Sequence, residues 1–239
     1  MRSRFARLVV ALMLVAGLPR IARGDALPPA PELDDRFAPL AAPALEAADR
    51  ERLEAGEVVV RDLPPTEPDG IGMLLMGVVD APPDRVWEVM ADCEEQDEFI
   101  PRIRHASVRD RDGDSHTCDL VVDVPFPLGD LRTATRHRVR RLPDGGHQRR
   151  WDLLPGDWDY VRNSGSWTVH PHDRGRRSLL IGRMDLLPKS VVPFWILHAA
   201  QVNQAPETFT AIRARVRDLQ SREESTGPLS SRPSDPEAP

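Results

Sequence analysis

Cysteine is scarce in this chain: Cys93 and Cys118 are the whole complement in 239 residues, and they form no Cys-x-x-Cys pair. Neither a Gly-x-Ser-x-Gly elbow nor a phosphate-binding loop nor a dinucleotide fingerprint occurs, so no sequence motif supports hydrolase, phosphoryl-transfer or nucleotide-cofactor chemistry. Basic charge is not in excess. Lys and Arg total 32 against 38 Asp and Glu, for a net charge of -6 and a pI near 5.7, which argues against a general nucleic-acid binder. His170 and His172 flank Pro171 beside Asp173 but lack a third ligand of the kind zinc requires. The run Asp110-Arg111-Asp112-Gly113-Asp114 has its glycine ahead of the third aspartate and no glutamate in register, so it reads as a hairpin turn instead of a calcium loop. No metal and no cofactor are expected.

The apolar run Leu8 to Leu18 is too short to cross a bilayer comfortably. It follows Arg2, Arg4 and Arg7 and precedes Ala22 and Gly24, the pattern of a secretory signal peptide over residues 1–24. The expectation is a periplasmic or secreted protein, and export would place the cysteines in an oxidising compartment. There they either join a helix end to a strand as a disulfide or stay as two buried thiols. Residues 25–55 are rich in Pro, Ala and acidic groups and read as a linker with a short helix from Ala44 to Glu54. Residues 221–239 are polar and proline-bearing and read as a disordered tail.

Between these ends lies one domain, 56–220. Its closing segment, Val191 to Gln220, repeats Val202, Phe209, Ile212, Val216 and Leu219 every three or four positions, with Ala205 between. That spacing predicts one buried helix face, with Arg213, Arg217 and Asp218 on the wet side. Pro206 predicts a kink or restart. Ahead of the helix come short alternating strands near Glu57–Leu63, Ile71–Val79, Arg102–Arg109, Thr117–Val124, Leu131–Leu142, His147–Leu154, Gly165–His170 and Ser178–Leu186. Asp144-Gly145-Gly146 is a hairpin signal within that series. Strands joined this way predict an antiparallel meander, and the helix is its apolar partner.

One stretch resembles a known family. Val79-Asp80-Ala81-Pro82-Pro83-Asp84-Arg85-Val86-Trp87-Glu88-Val89-Met90-Ala91-Asp92, followed by Phe99-Ile100-Pro101, is similar to the opening of START-like proteins of the SRPBCC superfamily, within it the polyketide cyclase/dehydrase and coenzyme Q-binding branch. The resemblance implies an α+β helix-grip fold: a curved antiparallel sheet wrapped around a long C-terminal helix, with two short helices after an early strand. It also implies binding of a hydrophobic small molecule, such as a lipid, quinone or polyketide-like compound, between sheet and helix.

Strand alternation narrows the candidate site. Arg132, Arg136, Arg138 and Arg140 share one face of their strand and belong in water, which turns Thr133, Thr135 and His137 to the other. Those three would orient a ligand in an apolar pocket. Apolar candidates for its wall are Met73, Leu75, Trp151, Trp167, Leu180, Met184, Phe194 and Phe209, although alternation does not separate pocket wall from core. Export and the missing catalytic motif favour binding over turnover. A cyclase or aromatase using the same cavity, with Thr135 and His137 moving protons, is the rival reading. Nucleic acid is not an expected partner, transient contact with a membrane surface through the arginine-rich face is, and the oligomeric state is left open.

Overall fold

In the computed structural model, residues 45–124, 129–189 and 194–226 are described. The chain runs α1 (Ala47–Glu54), β1 (Val59–Leu63), β2 (Ile71–Val79), α2 (Pro83–Met90), α3 (Gln96–Phe99), β3 (Ile103–Asp112), β4 (Ser115–Val124), β5 (Gly129–Arg141), β6 (His147–Leu153), β7 (Tyr160–His172), β8 (Arg177–Pro188) and α4 (Phe194–Thr226). All eight strands form one antiparallel sheet in the order β1-β2-β8-β7-β6-β5-β4-β3. This is the helix-grip arrangement, with α2 and α3 inserted after β2 and α4 laid on the inner face.

Strand β2 is buried at every position, because it is covered on both sides. Its inward residues Ile71, Met73, Leu75 and Val79 pack with Val86 and Met90 of α2 and with Ala205, Phe209, Ile212 and Val216 of α4. Its outward residues Leu74, Met76 and Val78 pack with Leu53 of α1, Val59, Leu179 and Ile181. A strand wet on one side would alternate; one buried on both reads as the continuous apolar run seen here. The packing of Leu53, only 2% exposed, makes α1 part of the folded unit, so that unit begins ahead of Gly56 and takes in the end of the expected linker.

The apolar stripe of α4 is buried as its spacing predicts, with Val202 and Leu219 packed at its margins. Three details differ from the sequence expectation. Of the kink or restart expected at Pro206 the restart does not occur, since the helix runs on through the proline, and it extends to Thr226, so the first six residues of the expected tail are helical. Arg213, expected in water, is half-buried and reaches across the sheet, donating from Nε to the Val78 carbonyl and from Nη1 to the Gly56 carbonyl at 2.9 Å each. Phe209 presses an edge of its ring against Gly77, where a Cβ would come within 2.4 Å of Cδ1, so glycine at this point sets how close α4 sits to the sheet.

Cys93, between α2 and α3, is bonded to Cys118 on β4 across a Cα separation of 6.2 Å. Of the two alternatives open in the sequence, the disulfide is the one present. It ties the helical insertion to the sheet, alongside the hydrogen bond from the Ala106 amide to Asp97 Oδ2 at 3.1 Å.

Candidate ligand-binding cavity

Between α4, the α2–α3 insertion and the inner face of β2, β4, β5, β6, β7 and β8 the packing leaves a cavity of about 190 Å³. A second compartment of about 260 Å³ adjoins it, sharing Val122, Tyr160, Leu186, Gln201 and Gln204. Together they fall within the range of sites that take drug-sized ligands, roughly 300 to 1,000 Å³. The inner compartment is mainly apolar, walled by Leu75, Met90, Leu120, Trp151, Trp167 and Met184 among others. The Trp151 ring lies over Gly165, where a Cβ would meet the indole at 2.4 Å and the Arg183 carbonyl oxygen at 2.3 Å, so only glycine lets the ring lie this close to the sheet.

Polar groups enter this wall at a few points. Trp151 Nε1 donates to Asn163 Oδ1 at 2.9 Å, and Asn163 Nδ2 donates to Thr133 Oγ1 at 3.1 Å. Thr135 Oγ1 and His137 Nε2 are 2.8 Å apart. His137 stacks between His116, with ring centroids 5.1 Å apart, and Trp151, at 5.9 Å. Burial holds the His116 imidazole down to about 4, with the Arg149 guanidinium adding to the effect. The same two causes, burial first, push His137 well below the ordinary range, so both rings are neutral near pH 7. Burial likewise raises the Tyr160 hydroxyl to about 12.

Arg149 is the unusual member of the wall. It is 2% exposed, and burial lowers its guanidinium to about 10 against the pull of Asp92. One terminal nitrogen donates to the Asp92 carbonyl, which also accepts from Gln96 Nε2 at 3.1 Å. The Asp92 carboxylate is engaged elsewhere, by the Glu94 amide and by Arg111. Arg149 Nε has no partner, and among the described residues no carboxylate pairs with the guanidinium. A buried charge with no carboxylate bonded to it costs several kcal/mol, and here the unfilled donor belongs to a residue that lines an apolar cavity.

Of the residues singled out from sequence, Leu75, Thr135, His137, Trp151, Trp167 and Met184 line the inner compartment. Four others do not. Met73 and Leu180 are closed into the core with no exposed surface, Thr133 lies behind Asn163 as its acceptor, and Phe209 is seated on Gly77 with its edge against Trp167 at 6.0 Å. The Phe194 side chain lies outside the described residues. Sequence reasoning passed over Arg149, Tyr160, Asn163, Gln96, Gln201 and Gln204, all of which line the cavity. Arg149 carried a usable signal, since it stands two positions before the inward Trp151.

The family profile described as polyketide cyclase / dehydrase and lipid transport matches residues 79–208, more than half of the chain. The chain belongs to this family. Among solved structures, the START-like fold recurs in a STAR-related lipid transfer protein from Xanthomonas axonopodis, at 17% identity and a TM-score of 0.59, covering 67% of this chain and 93% of that one. It recurs in human STARD10, at 13% identity and 0.59, covering 70% and 72%. The Zhui aromatase/cyclase from a Streptomyces species gives 17% identity and 0.52, covering 67% and 99%. At these identities the likeness is one of fold. No curated protein matches the sequence.

Proposed function

We propose that this START-like protein is an exported carrier that holds an apolar small molecule bearing an acidic group, with the acid against Arg149 and the apolar body along Trp151, Trp167 and Met184. Family membership supplies the coarse class, a hydrophobic ligand between sheet and helix. The observation that carries the finer reading is the buried guanidinium at the cavity wall, with no hydrogen-bond partner on Nε and, among the described residues, no carboxylate in ion-pair contact. An anionic oxygen would supply the missing acceptor, and charge-assisted hydrogen bonds are about twice as strong as neutral ones. A neutral sterol or hydrocarbon would leave the charge unmatched.

The decisive comparison is binding of a medium-chain fatty acid against its methyl ester and its alcohol, followed by fluorescence of the cavity tryptophans, with native mass spectrometry of protein from its own host to identify any resident molecule. The acid is expected to bind at least tenfold more tightly than either neutral analogue. Equal affinity for all three would reject the acidic-group reading, and absence of binding by any apolar compound would reject the carrier.

Export is supported by the arginine-led apolar segment at the start of the chain and by the Cys93–Cys118 bond, since disulfides persist mainly in oxidising compartments. The full chain expressed in a Gram-negative host is expected to be recovered from the periplasm with its mass reduced by the first 24 or so residues. Deletion of those residues should leave it in the cytosol. Recovery of the full-length mass from the cytosol would overturn the proposal.

A further inference from the structure

Two buried imidazole nitrogens on the inner face of the sheet lack partners, His116 Nε2 and His137 Nδ1. Their residues stand directly opposite each other on β4 and β5, with ring planes 13° from parallel. Cys118 follows two positions after His116, so the alternation of the strand brings its sulfur to the same face. One ligating atom from each of His116, Cys118 and His137 lies within 4.8 Å of the other two, and all three residues are buried. The remaining nitrogen of His137 is held by Thr135 Oγ1 at 2.8 Å. When Nε2 donates to that hydroxyl, Nδ1 presents its lone pair. Metal-binding histidines are commonly fixed in this way through their second nitrogen.

Two imidazoles and two thiolates form a recognised tetrahedral donor set for zinc-class ions, and three of those four donors stand together here. In the oxidised chain the sulfur is unsuitable, because a disulfide carries no thiolate charge, and the Arg149 guanidinium close to both rings opposes a bare cation. Reduction changes both conditions. We propose that opening the Cys93–Cys118 bond creates a binding site for a thiophilic divalent ion, held by His116 Nε2, His137 Nδ1 and the Cys118 thiolate, with the Cys93 thiolate as fourth ligand.

The chemistry balances with a dithiol reductant. It delivers two electrons and two protons, the sulfur–sulfur bond breaks, two thiols form, and the reductant closes to its own disulfide. Ion binding then releases both thiol protons, so two thiolates offset the charge of the ion and the positive charge beside Arg149 does not increase. A tetrahedral ion with bonds to sulfur of about 2.3 Å holds two thiolates roughly 3.8 Å apart, so the Cys93 sulfur, which starts outside the cluster of the other three donors, must swing toward the imidazoles once the bond opens.

The test titrates the full-length protein with cobalt(II), reading the tetrahedral absorption and the thiolate-to-metal charge-transfer band. Four forms are compared: oxidised wild type, wild type reduced with a non-chelating phosphine, reduced His116→Ala, and Cys93→Ser, which frees Cys118 without any reductant. One ion per chain is expected in the reduced wild type, weaker uptake in Cys93→Ser, none in the oxidised protein, and at least a tenfold loss on adding His116→Ala to the reduced form. The proposal fails if reduced protein with native circular dichroism shows no cobalt–thiolate band, if oxidised protein binds equally well, or if folded His116→Ala retains parental affinity. Should the variants not fold, zinc protection of the two wild-type thiols from alkylation decides the matter: protection supports the site, and an unchanged alkylation rate rejects it.

Discussion

Arg149→Met is expected to weaken binding of an acidic amphiphile by roughly 30-fold or more while leaving thermal stability unchanged or raised. Truncating one member of a desolvated charge pair costs about 2 to 5 kcal/mol of affinity, and binding of the neutral ester should move little. The stability expectation runs the other way. The guanidinium is buried with no carboxylate bonded to it among the described residues, and even a buried ion pair replaced by apolar side chains of similar size is often neutral or stabilising by about 1 to 4 kcal/mol. The Asp92 carbonyl would keep its bond from Gln96, so no acceptor is orphaned. Parallel titrations and melting curves, with Arg149→Lys as the charge-retaining control, check both expectations. A variant that loses acid and ester binding equally, together with its melting temperature, would mark Arg149 as structural.

Phe209→Ala should give the largest loss of stability of any single truncation in α4, about 3 to 5 kcal/mol. The ring is fully buried, lies against Gly77 at the contact that fixes helix to sheet, meets Trp167 edge-on and carries the Arg213 guanidinium 6.0 Å from its centroid. Its removal leaves a void between rigid elements, where collapse would require the helix to move. Urea denaturation of the two proteins measures the difference. A loss below about 1 kcal/mol, within the range of ordinary surface changes, would show that the helix settles into the gap.

The same residue shows how far the sequence could be read. The periodicity of Val202, Phe209, Ile212 and Val216 identified the inward face of α4, because a helix stripe depends only on spacing. Whether an inward residue meets a solid neighbour or an open space depends on the element opposite. Phe209 falls over Gly77 and is core, while Leu75, on the same face of β2, borders the cavity. Alternation on β5 turned Thr135 and His137 inward for the same simple reason. Arg149 was hidden by its chemistry: arginine in a strand suggests solvent, although parity with Trp151 pointed inside. Tyr160 and Asn163 were missed because β7 starts earlier than its apolar pattern does and contains a register shift between Tyr160 and Arg162, which defeats a period of two. The cysteine pairing was beyond any local pattern, since it depends on how the α2–α3 insertion lies against β4.

The sheet does not close, and its two rims are β1 and β3. A bare rim offers backbone donors and acceptors to any passing strand. Here β1 is only five residues long, and its Arg61 and Asp62 are already tied to Asp49 and His198. Strand β3 is interrupted by irregular register on either side of its middle and bristles with charge, Arg104 bound to Asp123 and Arg109 to Asp119. Neither rim is therefore a good template for sheet extension, so the protein should resist fibrillar stacking even in concentrated solution.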